Sequence, residues 1–153
     1  MTAERLPPLV HDDFLGPLRR YGDHSLIGTI SIDPAIRPAR HNGETDAEVL
    51  LEFGFVDPGP ELDAKVSIAA ARIRSALTNL AAIKSFGIDH SPSDWREYLE
   101  AQDRRPLVER LFLDGFEVDQ TLGVSACFDY EDLGTLIVRV DPVGQGLAVE
   151  LRL

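Results

Sequence analysis

The sequence predicts an α+β fold. An N-terminal strand group and a C-terminal four-stranded meander form antiparallel sheet, with one long central helix and one or two short helices between them. Three observations predict it. Apolar and polar residues alternate with a period of two over 26–33 and 48–55 and again from Phe116 onward. Leu62, Val66, Ala69, Ile73, Leu77, Leu80 and Ile83 step by three and four, which lays one apolar stripe along a helix. Clusters of Asp, Gly and Pro punctuate the period-two segments at turn spacing.

In chain order, residues 1–10 read as a loose lead-in, since Pro7-Pro8 forbids helix there. The segment 14–21 reads as a short strand or hairpin bent at Gly16-Pro17. Leu26, Gly28, Ile30 and Ile32 share one parity, in a strand that Asp33-Pro34 ends. Asn42-Gly43 signals a turn, after which Val49, Leu51, Phe53 and Phe55 alternate with Glu48, Leu50 and Glu52.

Asp57-Pro58-Gly59-Pro60 breaks the extended pattern and opens the long helix, expected over 60–86. Pro60 suits its first position, Glu61 and Asp63 oppose the positive end of its dipole, and Gly87 is a left-handed stop. Ala64, Ala70, Ala71 and Ala82 fall off the stripe, either as helix formers on a solvated face or as the contact of a homodimer. Ser91-Pro92-Ser93-Asp94 has capping-box spacing and starts a second helix, pinned by Trp95 and Leu99. A third short helix follows Pro106 and ends at Asp114-Gly115.

The meander then runs through Phe116 and Val118; Val124, Ala126, Phe128 and Tyr130; Leu136, Val138 and Val140; and Leu147, Val149, Leu151 and Leu153. Turns at 119–123, 131–134 and 141–146 make antiparallel neighbours. Phe53, Ile73, Leu77, Leu80, Trp95, Phe128 and Val138 are expected in the core, each on the apolar stripe of its element.

At 153 residues the chain fits a single domain, 1–153. One cysteine, Cys127, allows no intrachain disulfide and fits a reducing compartment. No apolar run approaches the ~20 residues that span a bilayer, and residues 1–8 lack a secretory pattern, so the expected address is the cytoplasm. Twenty-six acidic against 15 basic residues leave a formal charge of −11. Such a polyanion repels phosphate backbones and anionic lipid, so neither nucleic acid nor membrane is an expected partner. The acidity is concentrated in 106–153, which holds three basic and nine acidic residues.

Catalytic and metal motifs are weak. His11, His24, His41 and His90 are scattered at loop-like positions without ligand spacing, so no metal or cofactor is expected. The run 129–132 is acidic but lacks the alternating ligands and glycine of a calcium loop. Gly123-Val124-Ser125-Ala126-Cys127 is not a nucleophile elbow. Cys127 lies among acids that raise its pKa, which makes it an inert strand residue.

Asp13-Phe14-Leu15-Gly16-Pro17-Leu18, Ile27-Gly28-Thr29-Ile30 and the closing strands around Leu133-Gly134 follow one another in an order that resembles a family of small bacterial domains of uncharacterised function, some of them encoded beside toxin-immunity genes. Asp13-Phe14-Leu15-Gly16-Pro17-Leu18 resembles the family's opening strand, and Ile27-Gly28-Thr29-Ile30 the next. The long helix, the Trp95 segment and the closing strands around Leu133-Gly134 fall where the family has them. The chain departs from the pattern in having no tryptophan before Trp95 and in following Gly134 with Thr135 where the family often has histidine. The resemblance implies the fold and an immunity-type role.

The resulting expectation is a non-enzymatic cytoplasmic binding protein of a bacterium, of which a toxin-neutralising immunity protein is one form. It would act by stoichiometric association of an acidic sheet face with a basic protein. Alternation places Glu117, Asp129, Arg139, Glu150 and Arg152 on the face away from the helices, around Ile137 as an apolar centre. The alternatives are an enzyme or small-ligand binder with a cleft between helix and sheet, and a structural homo-oligomer.

Overall fold

The computed structural model describes residues 7–32, 46–102, 104–129 and 134–152. The turn expected at Asn42-Gly43, the break at Asp33-Pro34, the acidic run 130–132, His41 and Leu153 lie outside the described residues.

Among the described residues, eight strands, β1 (Val10–Asp12), β2 (Gly16–Tyr21), β3 (Ser25–Ser31), β4 (Asp46–Leu51), β5 (Phe112–Val118), β6 (Val124–Asp129), β7 (Thr135–Val140) and β8 (Gly146–Arg152), form one sheet in sequential order. All neighbours are antiparallel except β4 and β5, which pair in parallel from Glu48↔Gly115 to Leu51↔Val118. The two expected strand groups are thus halves of a single sheet, larger than a four-stranded meander. The helices α1 (Pro60–Thr78), α2 (Leu80–Asp89), α3 (Ser93–Gln102) and α4 (Leu107–Arg110) supply the crossover that parallel neighbours require.

The core lies between the helices and one face of the sheet. Leu18, Leu26, Val49, Leu51, Phe116, Val118, Ala126, Phe128, Leu136 and Val138 are all 1% exposed or less on that face, and Leu62, Val66, Ala69, Ile73, Ala76, Leu80 and Ile83 meet them from the helices. Of the seven residues expected in the core, Phe53, Ile73, Leu80, Phe128 and Val138 are buried, while Leu77 and Trp95 are half-buried.

Local geometry corrects the sequence reading in several places. The long helix is broken at Asn79 (φ −109°, ψ 24°). The Asn79 amide donates to the carbonyls of Ser75 (3.4 Å) and Val143 (3.1 Å), tying the break to the turn between β7 and β8. Within α1 the buried stripe steps from Ile73 to Ala76, so Ala76 is fully buried in place of Leu77, and Ala70 faces the core. Gly87 is no stop: it lies inside α2, buried, where an added Cβ would come within 2.8 Å of Val138 Cγ2. The hydroxyl of Ser91 donates to the carbonyl of Ile88 (2.7 Å), at the end of α2.

The lead-in is shorter than expected, since the Leu9 N–H donates to the Leu18 carbonyl (2.8 Å) and Val10 opens β1. Segment 14–21 divides differently too. Asp12 caps the β1–β2 turn by accepting the N–H groups of Phe14 (2.8 Å) and Leu15 (2.9 Å), and Gly16-Pro17 begins β2.

Asp114-Gly115 does not end the third helix. That helix is one turn long, and Asp114 is the extra residue of a bulge inside β5, between Leu113↔Phe128 and Gly115↔Cys127. Leu147 is likewise the extra residue between Arg139↔Ala148 and Val140↔Gly146, which leaves it 61% exposed rather than on an apolar row. Among the described residues, no helix is long and apolar enough to cross a membrane.

Candidate binding surface

Strand alternation leaves the second face of the sheet to side chains of the other parity. Ile27, Leu50, Gly115, Cys127 and Ile137 form an apolar band across β3 to β7, aligned by the pairs Ile27↔Leu50, Gly115↔Cys127 and Cys127↔Ile137. Polar residues flank it. Beside this band, where β4 meets β5, is a hollow of about 460 Å³ lined by Thr29, Asp46, Glu48, Leu50, Asp114, Glu117, Cys127, Thr135 and Arg152, with no helix residue among the described residues of its walls.

Two backbone features build the hollow. The bulge at Asp114 lets both Leu113 and Phe116 face the core although their parities differ, and it brings Asp114 into the lining. Gly115 allows β4 to approach closely: an added Cβ would lie 2.0 Å from the Glu48 carbonyl oxygen. Among the described residues, four carboxylates, from Asp46, Glu48, Asp114 and Glu117, thus line a space with Arg152 as the one cation of the lining. Arg152 Nη1 lies 3.5 Å from Glu117 Oε1.

Comparison of the chain with known protein families, curated proteins and solved structures finds no match. The site's own chemistry therefore carries the functional reading.

The six residues expected to bind are all on this face, but they are not one cluster. Glu117 and Arg152 pair at the hollow. Arg139 reaches instead to the β5–β6 turn, with Nη2 3.7 Å from Asp119 Oδ2. Glu150 is exposed on β8, and Asp129 is half-buried at the far end of β6. Ile137 is only 3% exposed, held between Cys127 and Glu150 across the ladder, so it belongs to the floor rather than standing open as an anchor. Reading the two halves as separate sheets hid Asp46, Glu48 and Thr29, which the parallel join sets beside Asp114 and Glu117. The alternation around Glu48 was the available signal; the join itself has none.

Cys127 forms part of the hollow's floor. Burial, reinforced by the Glu117 carboxylate, pushes its thiol up to about 12, so it carries no thiolate at neutral pH. Burial alone would raise Asp119. The Thr121 hydroxyl, the Gly123 and Thr121 N–H groups and Arg139 outweigh it and hold the carboxyl below its ordinary value. His24 Nδ1 lies 3.0 Å from the Gly54 carbonyl, and His90 stacks on Phe86 with ring centroids 4.0 Å apart. Among the described residues, no group of three His, Cys, Asp or Glu side chains is placed to hold a metal ion.

Proposed function

We propose that the chain is a non-enzymatic binding protein that holds a basic protein partner, one to one, on the helix-free face of its sheet. The observation that carries this reading is the hollow at the β4–β5 join, where the carboxylates of Asp46, Glu48, Asp114 and Glu117 and the Arg152 guanidinium surround an apolar floor. That arrangement suits a lysine or arginine side chain of the partner, with Leu50 and Cys127 contacting its aliphatic stem. The acidic field around it, in a chain of charge −11, speeds encounter with a cationic surface. Neutralisation of a toxin in a bacterial cytoplasm is the form that the family resemblance suggests.

The test is a kinetic titration against a basic toxin encoded beside the gene, at low and physiological salt. Glu48→Lys and Asp46→Lys should each slow association roughly tenfold and flatten its salt dependence. Unchanged association in both variants would refute the assignment of the face. The volume of the hollow also falls in the range of small-ligand sites, so a small organic cation is the second reading. Stabilisation by a polyamine such as spermidine, lost in Glu48→Lys, with no binding of the basic protein, would favour it.

A further inference from the structure

The acid-lined hollow has a neighbour on the same face. Over β2 and β3 lies a second hollow, of about 360 Å³, whose walls include Pro17, Arg19, Tyr21, Ile27, Thr29 and Glu48. Thr29 and Glu48 are walls of both hollows and pair across β3 and β4, so they form the ridge between the two. One face carries both because the ladder sets Arg19 against Ile27 and Ile27 against Leu50, while Leu18, Leu26 and Ile30, of the other parity, turn to the core.

Their chemistry differs. The first is lined by the carboxylates of Asp46, Glu48, Asp114 and Glu117 and already takes a guanidinium of the chain's own, with Arg152 Nη1 3.5 Å from Glu117 Oε1. The second offers the side chains of Pro17 and Ile27 and the ring of Tyr21. Tyr21 is 52% exposed and Ile27 is half-buried, so both still have apolar surface for a partner to cover.

We infer that the basic partner is recognised through two side chains at once: a lysine or arginine in the acid-lined hollow, and an aromatic ring in the second, against Tyr21 and Ile27. This rests on the reading of the acidic face given above and adds what the partner must carry beside its cation. The same partner fills both hollows because they share walls: a cation seated beside Glu48 brings the residues next to it in its own chain over Thr29 and onto the hollow beyond. The hollow over β2 and β3 and the one over β4 and β5 are two strand spacings apart, about 10 Å, a distance that residues three apart in an extended segment can span. Charge selects the second side chain. Arg19 in the wall disfavours another cation there and suits the negative face of an aromatic ring.

The probes are two peptides, acetyl-Lys-Gly-Gly-Trp-amide and acetyl-Lys-Gly-Gly-Ala-amide, titrated into the full chain at low salt and followed by NMR chemical shifts. The tryptophan peptide should bind at least roughly tenfold more tightly than the alanine peptide. Tyr21→Ala, at an exposed position, should remove that advantage. Tyr21→Phe should keep it, because the ring and not the hydroxyl makes the contact. Asp46→Lys should weaken both peptides alike, since Asp46 lines the first hollow and not the second. Equal affinity for the two peptides, or an advantage that survives Tyr21→Ala, would overturn the two-site recognition; a loss of binding in Asp46→Lys would then leave the acidic hollow standing as a cation site by itself. Failure of both peptides to bind, or binding indifferent to Asp46→Lys, would sink the reading of the hollow and this inference with it.

Discussion

Gly115→Ala tests the feature on which both the sheet and the hollow depend. The added Cβ would sit 2.0 Å from the Glu48 carbonyl oxygen, 2.9 Å from its carbon and 3.1 Å from its nitrogen. Ordinary van der Waals contact begins at about 3.4 Å, so the oxygen must retreat by more than an ångström. Every atom in the way is backbone, so no rotamer relieves the clash. Strands are held at about 4.8 Å by their hydrogen bonds, and a retreat of this size opens the Glu48↔Gly115 end of the parallel ladder. One or two buried backbone bonds left unmade, at ~1–3 kcal/mol each, plus residual strain, put the loss at about 3–5 kcal/mol. For a chain of this length that lowers the thermal midpoint by roughly 10 °C, and it moves the urea midpoint down by about 2 M. Gly22→Ala is the control: its φ of +73° is unfavourable for alanine, but its Cβ meets nothing within 4 Å. It should lose only about 1 kcal/mol. A Gly115→Ala protein within ~1 kcal/mol of wild type would refute the close approach of β4 and β5, and with it the geometry of the hollow.

Two further outcomes follow from the same packing logic. Gly87→Ala gains up to ~1 kcal/mol of helix propensity, but its Cβ would meet Val138 Cγ2 at 2.8 Å and Leu136 Cδ2 at 3.1 Å. Overpacking at ~1–3 kcal/mol outweighs the gain, so urea titration should find the variant less stable; a more stable variant would contradict the contact. The Cys127 thiol, raised from 9.0 to about 12, is neutral in the fold at pH values where the unfolded chain already holds a thiolate. Its contribution to stability is complete below about pH 9 and is lost as the pH rises through about 12, because the unfolded state gives up its proton first. Native protein at pH 8 should therefore react with a disulfide reagent only after denaturant is added, and fast labelling of the native state would refute the burial.

Local residue patterns were sufficient for the elements themselves. Period two located six of the eight strands, β3 to β8, since side chains on alternate faces meet core and water in turn. The i, i+3/i+4 stripe located the apolar side of α1 and α2 because one face of a helix must be dry. Pro60 and Pro106 marked helix starts through their missing N–H. Alternation also placed Glu117, Asp129, Ile137, Arg139, Glu150 and Arg152 on the helix-free face. What stayed illegible depends on contacts between residues distant in the chain. Asn79 breaks the helix because its amide finds Val143, 64 residues on, and Gly87 is a glycine because Val138 packs against it. The bulges at Asp114 and Leu147 shift parity by one residue, and nothing local distinguishes such a residue from its neighbours. Above all, the sequence contains the two strand groups but no signal that β4 and β5 join in parallel. That pairing is decided by helices folding back over one face, and it alone assembles Asp46 and Glu48 with Asp114 and Glu117 into a single acidic hollow.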